Sequence, residues 1–226
     1  MDLSTVKPQV MLERSVTPDG KEIVLYERDG VFTIRVNGLE LMSSRVHGSE
    51  EDMATLALAD LRAVGPHVLV GGLGMGFTTR AALDNLSKRG RVTVAELLPV
   101  VVRWNHDHLG HLADSPLDDP RVGLIEEDVG RVMATSPRTY DAVMLDVDNG
   151  PAALTDIRNE RLYHANGLAT ARRCLRPGGV LAVWSASPDR AFERALAKAG
   201  FRVRVETVPA RRGAKGPKHT IFIART

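Results

Sequence analysis

The sequence predicts an α/β fold: a mostly parallel sheet that ends in an antiparallel C-terminal hairpin, preceded by a small β-meander. Three observations predict it. From residue 67 onward, apolar runs of strand length alternate with stretches of helix length, the pattern of a parallel sheet with helices on both faces. The first of these runs leads into "VGGLGMG" (70–76), with four glycines in the six positions 71–76, a turn that lets backbone approach a ligand closely. The chain then closes on "FRVRVET" and "HTIFIAR", two strand-like runs joined by a Gly/Pro-rich loop instead of a further βα unit.

The elements follow in order. "EIVLYERDGVFTIRVNGLELM" (22–42) is β-rich and is punctuated by Asp29-Gly30 and Asn37-Gly38, dipeptides that tolerate the positive φ angles of tight hairpins. Residues 1–48 are therefore expected to form the meander and residues 49–226 the larger domain. Ser49 precedes "EEDMATLALADLRAV", a helix start with a capping hydroxyl and acids in the first turn. "HVLVGG" is a strand followed by a helix over 76–87, and "RVTVAEL" a strand followed by a helix that opens at Pro99 and runs through "VVVRWNHDHL". "VGLIEED" and a short helix come next, then the strand "YDAVMLDVD". A helix over 160–175, the strand "GGVLAVWS" and a helix over 188–199 precede the closing hairpin.

Composition narrows the function classes. The 226 residues are 43% hydrophobic and 26% charged, with a net charge of +2, which gives no general argument for nucleic-acid binding. No apolar run reaches membrane-span length and the N-terminus lacks a signal-like apolar core, so a soluble, cytoplasmic protein is expected. Cys174 is the single cysteine; it excludes an internal disulfide and reads as a small buried hydrophobe near a helix end. The basic stretch "ARRGAKGPKH" (210–219) reads as a solvated hairpin tip, the alternative being a clamp for an anion or RNA. His47, His106, His108, His164 and His219 are candidates by residue type only. "HDH" (106–108) has neither the i, i+4 spacing nor a third ligand for a metal, and no metal is expected.

The glycine turn points to a nucleoside. Ligands of such sheets bind at the carboxyl ends of the strands, where strand order reverses. Gly72, Gly74 and Gly76 admit the ligand to the backbone, and the following helix offers free N–H groups. Glu96 lies at the end of the next strand, twenty residues past Gly76, where a carboxylate can accept both ribose hydroxyls. Asp128 ends the strand after that and can reach an adenine amino group. A P-loop is excluded because no G-x-x-x-x-G-K-[ST] occurs. A nicotinamide dinucleotide is disfavoured by the turn G-G-L-G-M-G and by a sheet that closes with a hairpin instead of a second mononucleotide half. Such a hairpin-ended Rossmann-like sheet is that of class I S-adenosylmethionine methyltransferases and their relatives.

With the motifs in order, the chain resembles the spermidine synthase family, the polyamine aminopropyltransferases, over nearly its whole length. The resemblance rests on "VLVGGLGMG", "VTVAELLPVVV", "EEDVGRVM", "TYDAVMLDVDNGPAAL", "LYHANGLATARRCLRPGGVLAV" and the terminal hairpin. It implies that Gly72, Gly74, Gly76, Glu96 and Asp128 hold the donor nucleoside. It implies further that Asp146 is the acid opening the catalytic loop, with the second acid at Asp148 or Asn149. It also implies a homodimer. Three positions depart from the family pattern. The Asp of the family's glycine motif, which holds the donor's free amine, is Gly74 here. The Tyr-His-Glu of its amine site is Ser49-Glu50-Glu51, and a Gln after the fifth strand is Trp184.

These readings carry a mechanism. Transfer from a sulfonium is an in-line displacement, accelerated by holding nucleophile, carbon and sulfur in line, and an amine acceptor must give up a proton. Asp146 is the expected proton acceptor, assisted by Asp148 and Tyr140; Glu50, Glu51, Asn149 and Trp184 are expected at the substrate. The co-substrate is S-adenosylmethionine or its decarboxylated form. Because an Asp at position 74 would repel an intact carboxylate, its absence shifts the expectation toward methyl transfer to a small molecule. The alternatives are a true aminopropyltransferase, with the missing Asp replaced by Glu50 or Glu51, and an inactive nucleoside-binding or dimer-forming module.

Overall fold

The computed structural model describes residues 8–147, 161–211, 213 and 216–226. The chain divides into two compact units, Met1–His47 and Gly48–Thr226. In the first, β1 (Val10–Val16), β2 (Glu22–Arg28), β3 (Val31–Val36) and β4 (Leu39–Ser43) form an antiparallel sheet in sequence order. Asp29-Gly30 and Asn37-Gly38 make its turns, all four residues at positive φ, as such dipeptides favour. Ile23, Leu25 and Ile34 are buried on one face.

The second unit opens with α1 (Gly48–Leu58). Ser49 lies inside its first turn and so does not cap it, a correction to the expected helix start. The sheet is then built from β5 (His67–Gly71), β6 (Arg91–Ala95), β7 (Val122–Ile125), β8 (Tyr140–Leu145), β9 (Leu175–Ser185), β10 (Arg202–Pro209) and β11 (Lys218–Arg225). Among the described residues its order is β10-β11-β9-β8-β5-β6-β7. Strands β5 to β9 pair in parallel and β11 runs antiparallel to both β9 and β10. Every residue of β5 and of β8 is buried, which explains their near-continuous apolar sequences in a sheet covered on both sides. Cys174 is buried here and its thiol is pushed up to about 12 by desolvation.

Helices α2 (Phe77–Asp84), α3 (Pro99–Trp104), α4 (Val129–Thr135), α5 (Ala165–Cys174) and α6 (Arg190–Lys198) connect the strands. The helix expected from Pro99 to residue 109 is interrupted. After Trp104 the chain takes a π turn over Asn105–Leu109 and a 3-10 turn over Gly110–Ala113. Asn105 explains the break, because its buried side-chain amide donates to both Val101 O and Gly74 O; π turns inserted in this way are frequent at functional sites. The chain builds β5, β6 and β7 outward on one side, then returns to build β8 and β9 on the other. Strand order therefore reverses between β5 and β8, and the ends of these two strands frame the site.

Candidate active site

Strand β5 delivers the glycine turn to this switch point. Gly72, Gly74 and Gly76 all have positive φ. At Gly72 (φ +90) a Cβ would run into the Asp146 carbonyl, so glycine is required both by conformation and by the close pass of β8. Asp146 N donates to Gly71 O at 3.0 Å, which ties the two strand ends together.

Glu96, at the end of β6, is 7% exposed. Its Oε2 accepts from Leu73 N and its Oε1 from Leu98 N, each at 2.8 Å. Burial raises its pKa, and these backbone N–H groups pull the other way. The acid thus braces the glycine turn. Asp128, past the end of β7, caps α4 by accepting from Arg131 N at 3.0 Å. It borders a cavity of about 500 Å³ lined also by Leu97, Met133, Arg161 and Leu162, which is ample for a heterocycle.

Asp146 follows β8. Its Oδ2 accepts from Thr78 Oγ1 at 2.6 Å, so the first turn of α2 fixes its orientation. On the first turn of α1, Glu50 is 7% exposed. Desolvation raises its pKa, and the negative charge of Asp146 raises it further. Asp146 is itself raised by desolvation, opposed by the Thr78 hydrogen bond. The pair titrates together and holds protons well above the ordinary carboxylate range.

Ser49, fully buried, joins this pair to the sheet. Its hydroxyl donates to Glu50 Oε2 at 2.7 Å, receives Trp184 Nε1–H at 3.0 Å and lies 2.8 Å from His219 Nδ1. The Trp184 and His219 rings meet edge-on with centroids 4.6 Å apart. Trp184 therefore supports the wall of the site through Ser49 and His219.

The structure thus gathers Gly72, Gly74, Gly76, Glu96, Asp146, Glu50 and Trp184 at the carboxyl ends of the strands, with Asp128 bordering the neighbouring cavity. Glu51 is partly buried on α1, where its carbonyl accepts from Thr55. Tyr140 is a correction. It opens β8, six residues before Asp146, which at roughly 3.3 Å per residue puts it on the order of 20 Å away. There it is buried against the His67 ring at 4.6 Å, and it takes no part in the site. Asp148, Asn149 and the Gly150-Pro151-Ala152 segment lie outside the described residues, as do Arg212 and Lys215 of the basic loop. Thr78, Asn105 and Ser49 were not anticipated as site residues. Thr78 carried one signal, a hydroxyl in the first helical turn directly after the glycines. Among the described residues no cluster of three or more His, Cys, Asp or Glu is arranged to hold a metal, and no helix is long and apolar enough to cross a membrane.

Comparison with known proteins shows the family and the fold. The family model "Spermine/spermidine synthase domain" matches residues 47–196. Polyamine aminopropyltransferase 2 of Pseudomonas aeruginosa is 36% identical over 120 residues, covering 51% of this chain and 32% of that protein. The polyamine aminopropyltransferase of Prochlorococcus marinus is 33% identical over 125 residues, covering 54% of this chain and 41% of that protein. The chain thus spans well under half the length of these relatives. Among solved structures, spermidine synthase from Thermotoga maritima superposes with a TM-score of 0.74 at 16% identity, over 95% of this chain and 72% of that one, a likeness of fold. These matches overturn the expectation of methyl transfer drawn from Gly74. The relatives bear the name of aminopropyltransferases, and the alternative reading takes precedence.

Proposed function

The chain belongs to the spermine/spermidine synthase domain family, and from that premise we propose that its second unit moves an aminopropyl group from decarboxylated S-adenosylmethionine to an amine acceptor. The observation that carries this reading is the buried Glu50–Asp146 carboxylate pair beside the glycine turn, both members held above the ordinary carboxylate range. Two buried acids beside the glycine turn favour cationic ligands, because a bound ammonium relieves their mutual repulsion. They therefore supply the negative charge that Gly74 lacks and make a carboxylate-bearing donor the poorer fit.

In this reading the glycine turn and Glu96 hold the donor's ribose, and Asp128 addresses the adenine. Asp146, oriented by Thr78, takes the proton from the acceptor ammonium. The neutral amine forms its bond to the terminal carbon of the propyl group next to sulfur as the carbon–sulfur bond breaks, and methylthioadenosine leaves as a neutral thioether. Asp148 and Asn149 follow Asp146 in the sequence, and Asp148 is assigned to assist it and Asn149 to the acceptor. A homodimer is part of the same reading, and light scattering of the full chain checks it.

The test is release of methylthioadenosine from decarboxylated S-adenosylmethionine in the presence of a panel of diamines, with intact S-adenosylmethionine in parallel. Amine-dependent release from the decarboxylated donor alone is expected. Donor binding without release under any amine would instead favour an inactive nucleoside-binding module.

A further inference from the structure

Each aminopropyl transfer releases one proton. The acceptor enters as an ammonium, Asp146 takes its proton, and the new carbon–nitrogen bond forms as carbon–sulfur breaks. Protonation of Asp146 removes the negative charge that acts on Glu50, so that Glu50 can release a proton in turn. The hydrogen bonds around Ser49 describe a way out.

A serine hydroxyl has one proton to give and two lone pairs with which to receive. Trp184 Nε1–H is a donor only and takes one lone pair. Glu50 and His219 Nδ1 must then share the one proton and the other lone pair between them. When Glu50 is ionised, Ser49 donates to Oε2, so His219 must donate from Nδ1 and its Nε2 is bare. When Oε2 is protonated, Glu50 donates to Ser49, Ser49 donates to Nδ1, and the imidazole proton sits on Nε2. Passing from the second state to the first moves the Glu50 proton to Ser49 and the Ser49 proton to Nδ1, and releases the proton on Nε2. One proton enters at the carboxylate and one leaves at the imidazole, so the count balances. Position favours this direction, because Ser49 is fully buried, Glu50 is 7% exposed and His219 is half-buried. Burial lowers the His219 pKa, which keeps the ring neutral and able to exchange tautomers.

We propose that Glu50, Ser49 and His219 form a proton relay that carries outward the proton Glu50 gives up when Asp146 takes the one released in the transfer. This rests on the transferase reading above. Ser49 and His219 act through Glu50 and are positioning and relay residues. The charged groups acting on Glu50 are Asp146 at the end of β8 and Glu51 on its own helix. From β9 and β11 it is approached, through Ser49, by the uncharged indole of Trp184 and the His219 ring. From α2 it is reached through Thr78 on Asp146.

The experiment is ¹⁵N-resolved NMR of the imidazole nitrogens in the ligand-free full chain, with His219 assigned by its loss in His219→Gln. Between about pH 6 and 9, the Nδ1 and Nε2 shifts of His219 are expected to exchange character in step with the Glu50 carboxyl carbon. Glu50→Gln should abolish the response, and Ser49→Ala should abolish it while Glu50 still titrates. A single His219 tautomer throughout, or a response that survives in Ser49→Ala, overturns the relay. Should Ser49→Ala fail to fold, Glu50→Gln decides alone. In turnover, His219→Gln is expected to lower kcat about tenfold at unchanged KM, with added imidazole restoring it. The NMR arm needs no substrate. A tautomer switch without transfer would fault the transferase reading, and transfer without the switch would fault the relay.

Discussion

Thr78 Oγ1 donates to Asp146 Oδ2 at 2.6 Å, linking the first turn of α2 to the end of β8 across the point where strand order reverses. The bond stabilises the ionised form of Asp146 against the burial that opposes it. Thr78→Val keeps the shape and removes the donor. A hydrogen bond to a charged group contributes about 1.5–3 kcal/mol, and one pKa unit is about 1.4 kcal/mol. The Asp146 pKa is therefore expected to rise by roughly one to two units. Because the base must be ionised to act, the acid limb of the kcat/KM profile should move to higher pH by that amount. An unmoved limb would show that Asp146 is not the group that titrates.

Glu96 spends one oxygen on Leu73 N and the other on Leu98 N. In Glu96→Gln one of those oxygens becomes an NH₂, which faces an N–H donor instead of accepting from it. Leaving a buried donor unmet costs about 1–3 kcal/mol, and the turn it releases is the one proposed to hold the donor's ribose. Calorimetric titration with methylthioadenosine should show binding weakened about 10- to 100-fold. Unchanged affinity would mean that the turn Glu96 braces does not hold the donor.

What the sequence revealed and what it withheld divide along the range of the interactions. The strands β5 and β8, the glycine turn and the placement of Glu96 one strand later are written in local apolar runs and short spacings. Tyr140 was placed at the site by residue type alone. Strand register decides otherwise, since a residue that opens β8 lies at the far end of the sheet from one that follows it. The Ser49 hub joins positions 49, 184 and 219, on a helix and two strands that only the folded sheet brings together. Asn105 looked like one more residue of a continuing helix, and its reach to the Gly74 carbonyl appears only in three dimensions. The Gly74 departure shows a different limit: it alters one charge in the turn, while the proposed charge of the site comes from Glu50 and Asp146, elsewhere in the chain.

Gly72→Ala tests how closely the two strand ends are packed. The substituted residue would have to hold φ near +90, and its Cβ would meet the Asp146 carbonyl. Backbone strain of this kind costs about 1–3 kcal/mol, and the steric conflict adds to it by pushing β8 away. Urea unfolding should show a loss of at least about 2 kcal/mol. Turnover should fall further than donor affinity, since the displaced group carries the proposed base. Equal loss in both would place the damage in the turn alone.

The pH dependence of stability isolates Glu50. A carboxyl whose pKa is higher folded than unfolded binds more protons in the folded chain between the two values, so stability declines as pH rises through that interval. Asp146 contributes in the same direction, over a lower range. His67 works oppositely: burial lowers its pKa to about 4, so its contribution is lost as pH falls from its ordinary value toward that point. Above about pH 7 an unfolded histidine is largely neutral. Glu96 and, toward the upper end, Cys174 act alike in the native chain and in Glu50→Gln, so the difference between the two slopes belongs to Glu50. The urea midpoint of the native chain should therefore decline more steeply between about pH 7 and 8.5 than that of Glu50→Gln. At the upper end the variant should be the more stable protein by a few kcal/mol, because it no longer carries a buried charge facing Asp146. Parallel slopes in the two proteins would mean that Glu50 does not titrate in this range.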